Sequence, residues 1–94
     1  MKHQYWVYII TNKKYGTLYI GVTNDIARRH EEHKAGKAEN FTGKYKLTHI
    51  VYAESYSYID DAIAREKKLK EWQRLWKIEL IEKSNPSWAS LNLS

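Results

Sequence analysis

The amino-acid sequence predicts an α+β fold, in which a small and mainly antiparallel three-stranded sheet is flanked by helices in the order ββαβαα. Two segments near the start of the chain combine aromatic and β-branched residues, as strands typically do. Later segments repeat apolar residues at helical spacing and carry residues that begin or end helices. With 94 residues, the chain is expected to form one domain over residues 1–94.

The first two strands are expected to form an antiparallel hairpin. Residues 5–10, YWVYII, and residues 17–22, TLYIGV, have strand composition, and the intervening TNKKYG supplies turn residues. Gly21 lies inside the second strand, where a glycine loses backbone entropy and offers no side chain for packing. We therefore predict that another group closely approaches the backbone at Gly21.

The next segment, TNDIARRHEEHKAG at 23–36, predicts the first helix. Thr23 or Asn24 is suited to cap this helix, Asp25 suits its first turn, and Gly36 suits its end.

The remaining elements are one strand and two helices. Residues 46–55, KLTHIVYAES, have the composition of a third strand. A second helix is expected from residue 58 or 59 to residue 72. A third helix is expected over residues 74–83 and ends before Pro86, which disfavours its continuation.

The net charge of +5 comes from clustered basic residues. Twelve of the sixteen lysines and arginines fall in two windows, six in residues 28–46 and six in residues 65–77. Clustered positive charge suits a polyanion, and nucleic acid is the leading candidate. A solvated basic surface would account for the same distribution.

The sequence contains no cysteine, which excludes a disulfide framework, a thiolate zinc site and a cysteine nucleophile. This composition fits a cytoplasmic setting. No apolar run approaches the ~20 residues that cross a bilayer, so no membrane association is expected. The N-terminal MKHQYWVYII lacks the long apolar region of a signal peptide and is expected to belong to the fold.

The second helix carries an acidic residue where an apolar one is expected. Ile59, Ala62, Ile63 and Leu69 define an apolar stripe, and Glu66 lies on the same stripe. A carboxylate facing a core is costly unless it is paired, hydrogen-bonded or bound to a metal. Glu66 is therefore either a metal ligand or a residue at the edge of the stripe that pairs with a nearby lysine.

The first helix shows a related pattern, because Ile26, Arg29, His30 and His33 share one face. An inward-facing guanidinium can make a forked and permanently charged contact with phosphate. The HEEH run at 30–33 lacks the spacing of a HExxH zinc site. We therefore expect the histidines to pack, to form hydrogen bonds or to contact phosphate rather than to bind zinc.

Two tyrosines occupy the middle of the paired strands. Tyr8 and Tyr19 could point from neighbouring strands toward one face of the sheet. Tyrosine is common in strands, so these two residues do not by themselves indicate a site.

Taken in chain order, these residues resemble the GIY-YIG nuclease superfamily. The second motif is intact as YIG at 19–21, whereas the first would be WVY at 6–8, which keeps only the tyrosine. Arg29 follows eight residues after Gly21, at the place of the family's helix-borne arginine, and His33 matches a histidine of some members.

The resemblance extends over essentially the whole chain. AREKKLK at 64–70 resembles the segment with the family's metal-binding glutamate, which maps to Glu66. LIEKSNPSWASL at 80–91 resembles the ending of small single-domain bacterial members. The family also has an asparagine after its last helix, for which Asn85 is our choice and Asn92 the rival.

The resemblance implies a nuclease that uses one divalent cation, Mg²⁺ or Mn²⁺, held by Glu66 and otherwise by water and phosphate. Arg29 would clamp the phosphate. Either tyrosine could act on the attacking water; we favour Tyr19 as the general base and Tyr8 for positioning. Gly21 would let the following helix or the nucleic-acid backbone come close to Tyr19.

The substrate is expected to be DNA rather than RNA, recognised by its structure rather than by its sequence, in DNA repair or processing. Four residues are predicted to contact it: Gly21, His33, Lys34 and Lys68. A protein partner could supply targeting, and the chain is expected to be a monomer or a weak dimer.

Two other functions fit the same sequence. The altered first motif allows a nucleic-acid-binding module of this fold with little or no catalysis. Trp72, Trp76 and Trp88 could form an exposed surface for a protein partner, although we expect these indoles to close the core.

Overall fold

The computed structural model describes residues 4–36 and 46–93, and the predicted order ββαβαα is confirmed within these ranges. The part of the first basic window at 37–45 lies outside the described residues. The strands are β1 (Tyr5–Thr11), β2 (Leu18–Thr23) and β3 (His49–Tyr56). The helices are α1 (Ile26–Lys34), α2 (Ile59–Glu71) and α3 (Arg74–Ser84).

The sheet has the strand order β2-β1-β3, and β1 pairs antiparallel with both neighbours. Val7, Tyr8, Ile9 and Ile10 of this central strand are all buried, which accounts for its nearly continuous apolar sequence. The predicted α+β class, with a small antiparallel sheet, is confirmed.

The two faces of the sheet are covered by different helices. Val7 and Ile9 face α2 and α3, with which they form one core cluster that includes Ala62, Leu69 and Ile81. On the opposite face Tyr8 and Ile10 form a second cluster with Ile26 of α1. Because side chains alternate along a strand, β1 contributes to both clusters.

The C-terminal segment is hydrogen-bonded to β3 at the position where that strand has an extra residue. The register shifts between Ile9 and Ile10, which pair with Tyr52 and Ile50, so Val51 forms a β-bulge. The carbonyl oxygen of Val51 accepts a hydrogen bond from the Asn85 amide at 3.0 Å. The Leu91 N–H donates to the Ile50 carbonyl at 2.9 Å.

The ends of α1 differ in part from the prediction. Asp25 caps the helix, because its carboxylate accepts a hydrogen bond from the Arg28 N–H at 3.1 Å. The predicted caps, Thr23 and Asn24, are therefore wrong; the Thr23 hydroxyl instead accepts from the Asp25 N–H. Gly36 follows the helix with a φ of +73°, a left-handed conformation that suits glycine.

The other boundaries shift by one to three residues. β3 begins at His49 rather than at residue 46, because Lys46 has a φ of +54° and lies outside the strand. α2 ends at Glu71, since Trp72 is extended. α3 continues to Ser84, one residue further than predicted, and Asn85 follows as its C-cap.

The predicted apolar stripe of α2 is only partly buried. Ala62 and Leu69 are fully buried, but Ile59 and Ile63 remain 40% and 37% exposed. Ile63 lies about 100° around the helix from Ala62, and Ile59 lies in the first turn of the helix. The core face of α2 is therefore narrower than the sequence suggested.

The tryptophans divide between the core and the surface. Trp88 is buried, as predicted, and Trp72 is half-buried. Trp76 is 48% exposed, so the prediction that it closes the core is wrong. The rings of Trp72 and Trp76 meet edge to face with centroids 6.0 Å apart, as the alternative of an exposed surface would require. Among the described residues, no helix is long and apolar enough to cross a bilayer.

The group that approaches Gly21 is the ring of Tyr8. The two residues pair across β1 and β2. A methyl carbon added at Gly21 would lie 2.5 Å from the Tyr8 hydroxyl oxygen and 2.6 Å from Cζ. The side chain that lies against Gly21 therefore comes from the neighbouring strand, and the approach of the following helix or of nucleic acid to Tyr19 stays a prediction.

Substituting Gly21 by Ala is expected to lower the free energy of unfolding by about 1–3 kcal/mol, because the buried ring of Tyr8 has to move. Chemical denaturation measures this loss. Gly36→Ala is the control, since a methyl group there meets no atom within 4 Å and adds only backbone strain. In a Tyr8→Leu background the Gly21→Ala loss should shrink. An unchanged loss would show that the Tyr8 ring is not its cause.

Candidate active site

The hydroxyl of Tyr8 is the point at which two of the predicted site residues, Arg29 and His33, meet. Tyr8 is 1% exposed, and its hydroxyl oxygen accepts a hydrogen bond from Arg29 Nε at 3.4 Å. His33 Nε2 lies 3.4 Å from the same oxygen, and the two rings meet edge to face. Arg29 and His33 are four residues apart on α1, so one helical face presents both to the strand.

Tyr19 lies on the same face of the sheet as Tyr8, as predicted. It pairs with Ile10 across β1 and β2, and it packs against the core cluster that contains Tyr8. Unlike Tyr8 it is half-buried. Lys70 of α2 places its Nζ 6.0 Å from the centroid of the Tyr19 ring.

Glu66 joins this group from α2. Its side chain is 20% exposed, and its Oε2 lies 3.5 Å from Lys70 Nζ. The predicted pairing with a nearby lysine is therefore present. The partner, Lys70, also lies beside Tyr19, so the same ion pair connects the acid to the tyrosine. The name "phenol cluster" refers below to Tyr8, Tyr19, Arg29, His33 and Glu66.

The pKa of Tyr8 reflects the charges around it. Burial raises the pKa of this phenol above its ordinary value, and Arg29 lowers it through a hydrogen bond and its positive charge. The negative charge of Glu66 raises the pKa of Tyr8 further, and Tyr19 acts in the same direction. Tyr8 is therefore protonated at neutral pH.

His33 is a neutral base inside the site. Burial lowers the pKa of His33 to about 4, and the positive charges of Arg29 and His30 contribute in the same direction. Among the described residues, its buried Nδ1 has no hydrogen-bond partner. A neutral imidazole can accept a proton at Nε2 or donate one, so either sense of the contact with Tyr8 is chemically available.

His30 has a different environment. Its Nε2 lies 3.2 Å from the Thr48 carbonyl oxygen and 3.4 Å from the Ser90 hydroxyl. Burial lowers the pKa of His30 as well. His30 therefore packs and forms hydrogen bonds, as we expected of the histidines on this face.

The chemistry of the donors fits Mg²⁺ better than zinc. The described residues contain no group of three or more histidine, cysteine, aspartate or glutamate side chains that could hold a metal. Glu66 offers one partly exposed carboxylate, a hard oxygen ligand. Magnesium retains several waters and needs few protein ligands, whereas structural zinc needs four.

The remaining predicted residues lie around this group or apart from it. Lys34 is exposed at the end of α1 and pairs with Glu31 at 3.7 Å, and Lys68 is exposed on α2. Asn85 donates to the carbonyl oxygens of Val51 and Ala89, so its side chain serves the backbone of the C-terminal segment. Its rival, Asn92, is exposed.

A groove of about 310 Å³ opens beside Arg29. It lies between α1, the end of β2 and the start of α2, and its lining includes Asn24, Arg28, Glu32 and Ile59. Arg29 borders the groove and also contacts Tyr8, so this residue connects the groove to the phenol cluster.

Sequence reasoning missed two parts of the site. The first is the identity of the lysine that pairs with Glu66: Lys70 lies four residues later, which is the spacing of a helical ion pair. The second is Glu54 on β3, which accepts hydrogen bonds from Arg65 Nε at 2.7 Å and from the hydroxyls of Tyr52 and Tyr56. The alternation of Tyr52, Glu54 and Tyr56 could have indicated a shared face.

Comparison with known proteins supports one family. A family model described as the GIY-YIG catalytic domain matches residues 4–79. UPF0213 proteins of Staphylococcus aureus strains Mu3 and N315 are each 33% identical over 78 residues, which cover 83% of this chain and 94% of the relative. The family match includes most of the predicted catalytic residues but ends before Asn85.

A solved structure agrees with these matches. The solution NMR structure of a UPF0213 protein from Bacillus halodurans is similar to this chain with a TM-score of 0.54 and 27% sequence identity. The likeness covers 87% of this chain and 86% of that chain.

The low pKa of His33 predicts an acid-sensitive fold. The unfolded chain binds a proton at His33 below its ordinary pKa of 6.5, whereas the folded protein resists this down to about 4. The stability that the neutral His33 contributes is therefore present above pH 6.5 and is lost as the pH decreases. Between pH 6.5 and pH 5 the loss from His33 should be roughly 1.5 kcal/mol.

Urea unfolding of the protein and of His33→Gln at several pH values measures this effect. Glutamine does not titrate, so the variant should lose less stability over the same range. Burial lowers the pKa of His30 too, so His30 contributes to the slope in the same direction. Parallel curves for the two proteins would contradict a neutral buried His33.

Proposed function

Because this chain belongs to the GIY-YIG family of nucleases, we propose that it is a divalent-metal-dependent endonuclease that hydrolyses phosphodiester bonds in DNA. The observation that carries the proposal is the meeting of Arg29 and His33 at the buried hydroxyl of Tyr8. Tyr19 and Glu66 lie close enough for their charges to act on the same phenol. Hydrolysis of a phosphodiester needs an activated water and positive charge at the phosphate, and these residue types supply both.

Arg29 is the residue suited to hold the phosphate. It is permanently charged, half-buried beside the phenols, and borders the open groove. A guanidinium presents N–H groups in a rigid fork that matches phosphate oxygens. Charge that develops on the phosphate during hydrolysis would be stabilised by this preorganised cation.

The two tyrosines are suited to different tasks. Tyr19 is half-buried, so a water molecule can reach it, and Lys70 provides a cation near its ring. A phenol needs a nearby positive charge to lose its proton at neutral pH. Tyr8 is buried and holds its proton, so we assign the general base to Tyr19 and the orientation of the reactants to Tyr8.

Glu66 would hold a Mg²⁺ or Mn²⁺ ion together with water and phosphate. When bound, the ion acts as a Lewis acid that stabilises negative charge on the phosphate. Lys70 pairs with this carboxylate, so Glu66 has to exchange a lysine for the metal. A pair with an exposed lysine is weak enough to permit that exchange.

The substrate is proposed to lie along the groove beside Arg29. Arg28 and Arg29 offer positive charge there, and Lys34 and Lys68 are exposed for further phosphate contacts. We propose selectivity for DNA structure, in repair or processing. Preference over RNA, a monomer or weak dimer, a targeting partner and a cytoplasmic setting stay predictions from the sequence.

Replacing Glu66 by Gln is expected to reduce Mg²⁺-dependent cleavage by about 10²-fold or more, because the amide cannot replace the charged metal ligand. The assay uses labelled duplex, single-stranded and branched DNA, and RNA, each with and without Mg²⁺ or Mn²⁺. Glu71→Gln is the matched control, since Glu71 is an exposed acid on the same helix.

Circular dichroism should show that Glu66→Gln remains folded, and its DNA binding should largely persist. Equal cleavage by Glu66→Gln and the parent protein would overturn the metal role. DNA binding without metal-dependent cleavage in the parent protein would favour the alternative of a binding module.

The assignment of the tyrosines predicts different pH–rate profiles for their variants. Single-turnover cleavage by the parent protein should rise with pH as the base loses its proton. Tyr19→Phe should remove this rise, whereas Tyr8→Phe should lower the rate but retain it. The reverse pattern would exchange the roles of the two phenols.

A further inference from the structure

A charged cluster lies on the core side of β3, directly against the helix that carries Glu66. Glu54 accepts hydrogen bonds from Arg65 Nε at 2.7 Å, from the Tyr56 hydroxyl at 2.8 Å and from the Tyr52 hydroxyl. Both charged side chains are mostly buried, since Glu54 is 19% and Arg65 25% exposed. The guanidinium of Arg65 also lies 5.1 Å from the centroid of the Trp72 ring.

An ion pair at this position has a large desolvation cost. Val7, the residue opposite Glu54 on β1, belongs to the core cluster that packs on α2. Removing two charges from water costs several kcal/mol, and apolar residues of similar size often stabilise such a position as well or better. Stability alone therefore does not explain why a carboxylate and a guanidinium occupy it.

The Glu54–Arg65 ion pair adds a directional contact between β3 and α2. The apolar contacts of α2 are carried by a small residue, Ala62, and by Leu69, and apolar contacts permit a helix to rotate or slide. The directional hydrogen bond from Arg65 Nε to Glu54 Oε1, at 2.7 Å, resists both motions. Arg65 precedes Glu66 by one residue, so the pair holds α2 on the side of β3 while Glu66 points about 100° away around the helix.

We infer that Glu54 and Arg65 are positioning residues that set the rotation of α2, and thereby the place of the Glu66 carboxylate in the phenol cluster. This inference rests on the proposed function for the metal at Glu66. A displacement of about 1 Å at a catalytic group is enough to reduce a rate by about 10²-fold. The cluster is therefore expected to affect metal binding and turnover more than the binding of DNA.

The test replaces the pair by apolar residues, in the double variant Glu54→Met with Arg65→Met. Its melting temperature should stay within about 5 °C of the parent value or rise. Its affinity for Mn²⁺, measured from the electron paramagnetic resonance signal of the free ion, should fall about 10- to 100-fold. In cleavage assays kcat should fall while KM for DNA changes little.

Two further variants make the result specific. Glu54→Gln retains an oxygen that accepts hydrogen bonds but removes the charge, so it serves if the double variant does not fold, and its Mn²⁺ affinity should fall as well. Glu82→Gln is the matched control, because Glu82, like Glu54, is a carboxylate that accepts hydrogen bonds from side chains. Its donors are Tyr15 and Trp88. Its Mn²⁺ affinity should equal that of the parent protein.

The outcomes separate this inference from the proposed function. If Glu66→Gln loses Mn²⁺ binding while the folded Glu54 variants retain it, the positioning role is overturned and the metal role of Glu66 stands. If Glu66→Gln binds Mn²⁺ as the parent does, the metal role itself fails. Loss of Mn²⁺ affinity in the Glu54 variants at an unchanged melting temperature supports the inference.

Discussion

The buried hydroxyl of Tyr8 is the constraint on which the rest of the structure depends. A polar atom in the central strand needs partners, because leaving it unsatisfied away from water costs free energy. Arg29 and His33 supply those partners from a single helix, so α1 has to cross this face of the sheet with one rotation. The ring also lies against Gly21, so β2 can pair with β1 only where a glycine leaves room. The register of the hairpin and the docking of α1 thus follow from one side chain.

Helix α2 is held against the sheet by different contacts, which include an ion pair. Its largest buried apolar residue is Leu69, and two ion pairs flank this contact. Arg65 binds Glu54 on β3, and Lys70 binds Glu66 and lies beside Tyr19 on β2. The first pair joins α2 to the sheet, whereas the second lies within the helix, four residues apart, and brings Lys70 to Tyr19. The Glu54–Arg65 pair replaces apolar contacts at this position, and by our inference it defines the orientation of Glu66.

Much of this arrangement could be predicted from local patterns. Strand alternation places Tyr8 and Tyr19 on one face, and helical spacing places Arg29 with His33 and marks Glu66 as an acid on an apolar stripe. Each of these inferences needs only the geometry of one element or of one hairpin.

Features that depend on how elements meet could not be predicted in the same way. The neighbour of Gly21 follows from the register between two strands, which the sequence does not state. Ile59 and Ile63 were expected to be buried because periodicity defines a stripe but not how much of it overlies the sheet. Glu54 gave a weak signal, since its partner Arg65 lies on another element.

The bulge at Val51 has a further consequence for the edge of the sheet. It brings the C-terminal segment onto β3, where the Leu91 N–H occupies the Ile50 carbonyl on the outer side of the sheet. A carbonyl that is already bonded is a poorer template for a strand of another molecule, so the chain's own tail disfavours edge-to-edge pairing at Ile50 and Val51.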